Sequence, residues 1–384
     1  MLTSEQRPML RFLIVQTAAS VVGLQCWMIL FNNFAVEVAG LNGLQVGIIG
    51  SVREVPGFLA LLAVFVMLVI REHRLSALSI VLLGIGTGLT GLLPSFTGLI
   101  ITTLIMSFGF HYYETTNQSL TLQYFSTATS PLVFGRLRSL AAATSIVVGL
   151  LIYLMGLVFS YRVMFLVIGA LVVAAGIWGL RQDPTDRQLT PQHRKMIFRR
   201  KYFLYYFLTF MAGARRQIFI AFSVYLLVKV FHCTVTEITL LFVVNNAVNF
   251  ILSPLIGRAI VRFGERWILS IEYGGLIGVF LVYAFTDSKL LVIVMYVLDH
   301  ILFNFAIAIR TYFQKVADPA DIAPSMAVGF TINHIAAVVM PAIGGFLWMV
   351  DYRIPFIAGA IFSLISLLAV QRIPRLARSP MRGP

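Results

Sequence analysis

Ionisable residues interrupt three of the long apolar stretches of this sequence. They are the adjacent pairs Arg53-Glu54, Arg215-Arg216 and Asp299-His300, and each pair has mainly apolar neighbours on both sides. An arginine stays charged in proteins, and its planar fork matches the geometry of a carboxylate or a phosphate. Histidine titrates near neutral pH and is suited to carrying a proton. The three pairs therefore predict a polar site for a small charged molecule.

Further polar residues accompany these pairs and complete two sets of candidates. Candidates for binding a small organic anion are Arg53, Arg215, Arg216, Gln217, Gln25, Asn246, Asn249 and Asn304. Candidates for proton coupling are Glu54, His111, Glu114, Asp299, His300 and His334. Adjacent helical residues point about 100° apart, so one of Arg215 and Arg216 is expected to face a cavity and the other a neighbouring helix.

The alternative for these residues is internal neutralisation and packing. Arg53 would then pair near Glu54, and Arg215 or Arg216 with Asp299. His111 and Glu114 are three residues apart and share a helical face. This face is expected either to relay a proton or to pack polar groups. Glu272 is expected to pair locally or to face lipid headgroups.

Composition identifies the elements that must position these groups. The chain has 384 residues, of which 59% are apolar and 11% charged, whereas soluble domains carry about 25% charged residues. The sequence therefore predicts an all-α polytopic membrane protein. It contains no P-loop, G-x-S-x-G or H-E-x-x-H motif, and its histidines show no metal-ligand spacing, so we expect neither an enzyme, nor a cofactor, nor a metal.

Twelve segments are long enough to cross a bilayer, which takes about 20 residues in a helix. The predicted spans are 12–33, 44–70, 76–94, 97–121, 138–160, 163–180, 203–227, 236–261, 267–286, 289–313, 325–349 and 353–373. Counting residues from the span ends places the three charged pairs near the bilayer midplane. No cleaved signal peptide is recognised at the N-terminus, and Cys26 and Cys233 are predicted to be free apolar thiols.

Basic residues are distributed unequally between the two sides of these spans. The two ends, the even-numbered loops and the span ends beside them hold 22 of the 29 Lys and Arg residues, and the other loops with their adjoining span ends hold four. The positive-inside rule then places both termini in the cytoplasm. The net charge of +14 is thus a topology signal, and we expect lipid but no nucleic acid as a partner.

The sequence also divides into two similar halves. An offset of 192 residues places Gln25 on Gln217 and Phe58 on Phe250. Six spans in each half, both starting on the same side, predict a parallel duplication with its axis along the membrane normal. The predicted units are a six-helix bundle at 1–180, a cytoplasmic basic linker at 181–202 and a second six-helix bundle at 203–384.

A loop in the second half resembles the signature loop of the major facilitator superfamily. Residues 257–269 read GRAIVRFGERWIL, in which Gly257, Arg262, Gly264 and Arg266 match and Val261 replaces the usual Asp. The resemblance implies a secondary transporter whose signature loops steady one access state. It also implies a cavity lined by spans 1, 4, 7 and 10 and flanked by spans 2, 5, 8 and 11.

The sequence thus predicts a monomeric transporter of a small organic anion, proton-coupled, in a bacterial inner membrane. One alternative is proton-coupled efflux of lipophilic or cationic compounds, in which the acidic residues would bind the cargo. A remote alternative is a receptor or assembly partner that does not transport.

Overall fold

The computed structural model describes residues 6–185, 190–193 and 195–374. These residues form twelve long helical segments without any strand. Short connections join them, except between the sixth and the seventh, which residues 181–202 separate. Ten of the twelve are long and apolar enough to cross a membrane, so the predicted all-α membrane fold is confirmed. Arg187 and Arg194 of the predicted linker lie outside the described residues.

The first six helices, α1–α6, belong to residues 6–180, here called the first half. They are α1 Gln6–Asn33, which continues through the π-helical turn Phe34–Val38; α2 Gly43–Phe58, which continues through the 3-10 turn Leu59–Leu62 to Ala63–Val66; α3 Glu72–Thr90; α4 Phe96–Tyr124; α5 Ser130–Gly156; and α6 Tyr161–Leu180.

The other six helices, α7–α12, belong to residues 203–374, here called the second half. They are α7 Phe203–Ile218, with the π-helical turn Phe219–Ser223 and a last segment Val224–Lys229; α8 Val235–Phe263; α9 Glu265–Phe285; α10 Lys289–Phe303, with the 3-10 turn Asn304–Ala306 and Ile307–Val316; α11 Ile322–Val350; and α12 Arg353–Val370.

Several helix ends follow from local chemistry. The side chain of Asn42 accepts from the backbone of Gln45, whose own side chain accepts from Asn42, and Thr234 and Glu237 form the same reciprocal cap at α8. Such caps satisfy backbone N–H groups that the first helical turn leaves unpaired. At the junction of α8 and α9, Gly264 has φ +82° and ψ 161°, a conformation that is essentially restricted to glycine.

The three helices with charged pairs are each interrupted within their length. In α2 the 3-10 turn comes shortly after Pro56, which has no N–H to donate. In α7 the π-helical turn starts three residues after Arg216, and in α10 the 3-10 turn starts at Asn304. Irregular backbone inside a membrane is tolerated where it is buried in protein or lines a water-filled cavity.

The helices α5 and α8 bring the backbones of the two halves into close contact. A Cβ atom on Gly135 would lie 2.5 Å from the carbonyl oxygen of Ser253, and one on Gly257 would collide with the carbonyl oxygen of Pro131. Only glycine allows the two backbones to come this close. Gly257, predicted as part of the signature loop, therefore lies in this contact.

Hydrogen bonds between the halves reinforce this contact near one end of the bundle. We call this end, where Gln6, His193 and Ile373 lie, the terminal face. Gln314 of α10 donates to the carbonyl oxygens of Leu122 and Phe125, at 2.6 Å each. Thr331 of α11 accepts from the backbone N–H of Leu61 at 2.9 Å. These bonds lie between the midplane and the terminal face.

Asp321 holds part of the 181–202 segment against the terminal face. Its buried carboxylate accepts hydrogen bonds from Tyr202 at 2.6 Å and from His193 at 2.7 Å, and it pairs with Arg199 at 2.6 Å. Burial alone would raise the pKa of Asp321, but the bonds from Tyr202, His193 and Arg199 outweigh it and lower the pKa. The ionised carboxylate therefore stabilises this region of the fold.

Replacing Asp321 with asparagine is expected to destabilise the protein by about 1.5–3 kcal/mol at neutral pH, a common range for hydrogen bonds to a charged group. A lowered pKa means that the stabilisation is present above the unfolded value near 3.8 and is lost as the pH falls through the folded value. In detergent, the melting temperature of the wild type should therefore fall more steeply with decreasing pH than that of the variant.

Asp318→Asn is the matched control for this experiment. Asp318 pairs with Lys201 where both side chains are about half exposed, and exposed ion pairs contribute about 1 kcal/mol or less. Equal losses of stability in the two variants would contradict the role given to Asp321.

Candidate functional site

Charged side chains from both halves meet at the middle of the bundle. Arg216 is exposed at this depth, and its guanidinium carbon lies 5.3 Å from the ring centroid of Phe303. It interacts electrostatically with Glu54 and Arg53 of α2 and with Glu114 of α4. Since these helices belong to the first half, Arg216 faces the space between the halves, which we call the central site.

Two arginines that lie at the ends of predicted spans also belong to the central site. Arg138 lies eight residues inside α5 and donates to the side-chain oxygen of Asn304 on α10 at 3.0 Å. Arg310 of α10 is half-buried and interacts electrostatically with Glu114 and Arg216. Because α5 starts at Ser130 rather than at 138, the predicted boundary of the fifth span was wrong and placed Arg138 at its edge.

The central site has an excess of positive charge. Its four arginines come from α2, α5, α7 and α10, and its two carboxylates are Glu54 and Glu114. Arg53 pairs with Glu54 at 2.8 Å, and Glu114 accepts from Gln118 at 2.7 Å. With the histidines neutral, two positive charges are left for a bound molecule to balance.

Arg215 points away from the central site, although it is adjacent to Arg216. It is buried, with its guanidinium carbon 4.4 Å from the ring centroid of Tyr273 on α9. It donates to Ser366 of α12 and lies 3.8 Å from the carboxylate of Glu272. The two arginines therefore face different surroundings, as their 100° separation requires.

The buried carboxylate Asp299 belongs to this second cluster. It interacts electrostatically with Arg215, and both line a small cavity together with Glu272 and Arg216. Glu272 is buried and lies 3.8 Å from Arg215, which is the first of its two expected positions, a local pair rather than a contact with lipid headgroups. The cluster is neutral when one of its two carboxylates holds a proton.

Two of the predicted proton-coupling histidines meet across the halves. The ring centroids of His111 on α4 and His334 on α11 are 4.9 Å apart. Glu54 completes a group whose ligand-type atoms all lie within 4.8 Å of one another. His300 is half-buried on α10, close enough to Arg138 and Arg216 to interact electrostatically.

The predicted amide residues take different positions. Asn304 donates to Asn249 of α8 and accepts from Arg138, which brings both amides to the central site. Gln25 donates to Ser145 of α5 at 3.3 Å, within the first half. Asn246 donates to a carbonyl of its own helix at 3.0 Å, and Gln217 is half-buried on α7.

Residues of the predicted signature loop lie at the terminal face, away from the central site. Arg266 donates to the side-chain oxygen of Gln371 at 2.9 and 3.1 Å and thereby ties the start of α9 to the end of α12. Arg262 lies 5.2 Å from the ring centroid of Phe263.

This arrangement of apolar helices around a charged midplane site defines an integral membrane protein of the transporter class. The sequence matches the Major Facilitator Superfamily over residues 13–320 and 205–382. The chain belongs to this superfamily, whose transporters bind small-molecule substrates within the membrane. No curated protein matches the sequence.

Solved structures with the same fold include transporters of different substrates. The human organic anion transporter MFSD10 aligns with a TM-score of 0.73 at 11% identity and covers 96% of this chain and 100% of its own. The E. coli fucose:proton symporter aligns with a TM-score of 0.77 at 12% identity, and the alignment covers 95% of this chain and 98% of the symporter. A bacterial homologue of the iron transporter ferroportin aligns with a TM-score of 0.74 at 14% identity, and the alignment covers 94% of this chain and 98% of the homologue.

Proposed function

We propose that this protein is a secondary active transporter that moves a small organic anion by alternating access. The observation that carries the proposal is the central site, where Arg53, Arg138, Arg216 and Arg310 come from both halves and outnumber Glu54 and Glu114, the carboxylates that the described residues place among them. A carboxylate or phosphate bound there would gain charge-assisted, bidentate hydrogen bonds.

Movement of the two halves would expose the central site to each side of the membrane in turn. The halves, residues 1–180 and 203–384, would move as two bundles joined by the 181–202 linker. In the present structure the hydrogen bonds of Gln314 and the α5–α8 contact hold the halves together toward the terminal face. Breaking these contacts while the opposite ends close would release the substrate on the other side.

Competition for Arg53 provides a physical route to proton coupling. Arg53 donates two hydrogen bonds to Glu54, at 2.8 and 3.1 Å, so it is not free to clamp an anion. Protonation of Glu54 would weaken this pair and release Arg53 for the substrate, which couples the entry of a proton to that of an anion. Glu114, Asp299, His111, His300 and His334 remain further candidates for the proton pathway.

Efflux of cations is the alternative function, and the charge of the central site disfavours it. A lipophilic cation would meet four arginines, and the two glutamates are already engaged with Arg53 and Gln118. The human protein with this fold is an organic anion transporter, which supports the proposal, whereas the other two are a fucose:proton symporter and a homologue of an iron transporter.

For localisation, we propose a bacterial inner membrane with the terminal face in the cytoplasm. The basic residues of the even-numbered loops support this orientation. The protein would act as a monomer, with lipid and a small molecule but no nucleic acid as partners.

A ligand panel on the purified protein tests the proposed substrate class. Succinate, benzoate and glucose 6-phosphate represent anions, glucose a neutral sugar and tetraphenylphosphonium a lipophilic cation. A ligand at a hundred times its Kd should add about 2.7 kcal/mol to the free energy of unfolding. We expect at least one anion to raise the melting temperature and the cation to have no effect. Stabilisation by the cation alone would overturn the anion proposal in favour of efflux.

A further inference from the structure

We propose that Glu54, His111 and His334 form a binding site for one divalent transition-metal ion. Their nearest ligand-type atoms lie within 4.8 Å of one another, and both histidines are buried. Two imidazoles and one carboxylate are a common ligand set for zinc and for ferrous iron. Small side-chain rotations would bring these atoms to the ~3.3–3.6 Å separation that a tetrahedral ion requires.

The hydrogen bonds of the two imidazole rings leave Nε2 of each ring free to bind a metal ion. His111 Nδ1 lies 2.9 Å from the carbonyl oxygen of Ser107 and 3.0 Å from its hydroxyl, which itself donates to the carbonyl oxygen of Arg53. His334 Nδ1 lies 2.9 Å from the carbonyl oxygen of Phe330. A carbonyl oxygen only accepts, so Nδ1 carries the proton and Nε2 keeps its lone pair. Metal-binding histidines are usually oriented by such a bond from the other ring nitrogen.

The surrounding backbone leaves room for the rings to meet. A Cβ atom on Gly57 would collide with the His334 ring and lie 2.7 Å from His111 Cδ2. Glycine at this position therefore lets the two rings approach each other against α2. The same helix supplies Glu54, three residues earlier, so one segment provides both a ligand and the space for the other two.

Nearby arginines limit how this site can be used. Both bonds from Arg53 go to Glu54 Oε1, so Oε2 is the oxygen for the metal. Arg216 also interacts with His334 electrostatically, and a dication here would be repelled unless an anion fills its open coordination positions. That last step rests on the proposed anion transport, whereas the metal site itself does not.

The ligands come from both halves, so the site depends on the conformation. Glu54 and His111 belong to the first half and His334 to the second. Separation of the halves toward the terminal face would pull His334 away from the other two ligands. A bound ion would therefore stabilise the state seen here and be released when the halves part.

Titration with Co²⁺ tests the site, because cobalt bound to histidine gives visible absorption bands. The full-length protein is purified in detergent, its affinity tag is removed, and binding is measured by absorbance and by competition with Zn²⁺. We expect one Co²⁺ per chain and at least a tenfold weaker affinity in His111→Asn and in His334→Asn. Even the loss of a residue that only hydrogen-bonds a metal ligand lowers the metal affinity by about 10–100-fold.

His300→Asn is the matched control, since His300 is a half-buried histidine on a spanning helix and lies outside the trio. It should bind Co²⁺ like the wild type, and melting without metal should show that all three variants fold. No saturable binding by the wild type, or unchanged binding in His111→Asn and His334→Asn, would overturn the metal site. Anion stabilisation is measured on the same samples, so that failure of the metal site and failure of the anion proposal are seen separately.

Discussion

Replacing Arg216 with glutamine is expected to abolish most anion transport while leaving the protein stable. Arg216 is the exposed arginine of α7 at the central site, where it contacts Phe303 and faces Glu54 and Glu114. Truncating one member of a desolvated charge pair costs about 2–5 kcal/mol. Even a loss of 2–3 kcal/mol weakens binding by roughly 30- to 150-fold.

The measurement is uptake into proteoliposomes of the anion that stabilises the wild type most in the ligand panel. Uptake by Arg216→Gln should fall by at least about 30-fold at subsaturating substrate, and its melting temperature without ligand should change little. Arg258→Gln is a suitable control, because Arg258 is an exposed residue near the terminal end of α8. Undiminished uptake by Arg216→Gln would remove the central residue of the proposed anion site.

The depth of these charged residues could be predicted from the sequence, but not their direction. A helix rises about 1.5 Å per residue, so counting from the span ends places Arg216, Asp299 and Glu54 near the midplane. The rotation of each helix depends on its packing against neighbours, which a single apolar segment does not reveal. Arg215 and Arg216 show the difference, since one lies against α9 and α12 and the other faces the first half.

The contributions of Arg138 and Arg310 escaped prediction for a different reason. A positive charge near the end of an apolar segment is usually a topology signal, and both residues fit that explanation when only the sequence is considered. The helix α5 starts at Ser130 and packs along α8 of the other half, so Arg138 faces protein and the central site instead of lipid headgroups.

Contacts between the halves were also beyond sequence reasoning. His111 and His334 have no metal-ligand spacing in the chain, and the prediction that no metal site exists followed from that spacing. The fold brings their rings to 4.9 Å because α4 and α11 pack against each other across the halves. Pseudo-symmetry predicts six helices in each half, but it does not predict this pair, because the 192-residue offset places His111 on Phe303 and His334 on Ala142.

Arg215→Gln is expected to destabilise the protein strongly, in contrast to its neighbour Arg216. Arg215 is 3% exposed, and Glu272 and Asp299 are each 2% exposed. Arg215 is the arginine that interacts electrostatically with both carboxylates. Removing it leaves the two buried carboxylates without this partner, and breaking a buried pair in this way costs about 3–5 kcal/mol. Melting in detergent, together with the monodisperse fraction in gel filtration, measures the loss.

A second variant keeps this prediction testable if Arg215→Gln does not fold. In Arg215→Gln/Glu272→Gln, one of the two unpaired carboxylates is removed with the arginine, so the double variant should be more stable than the single one. Replacing both members of a buried ion pair by neutral groups often changes the stability little, whereas removing one member alone destabilises the protein strongly. If the single variant melts like Arg216→Gln, then Arg215 does not stabilise the cluster, and the different surroundings of the two arginines have no energetic consequence.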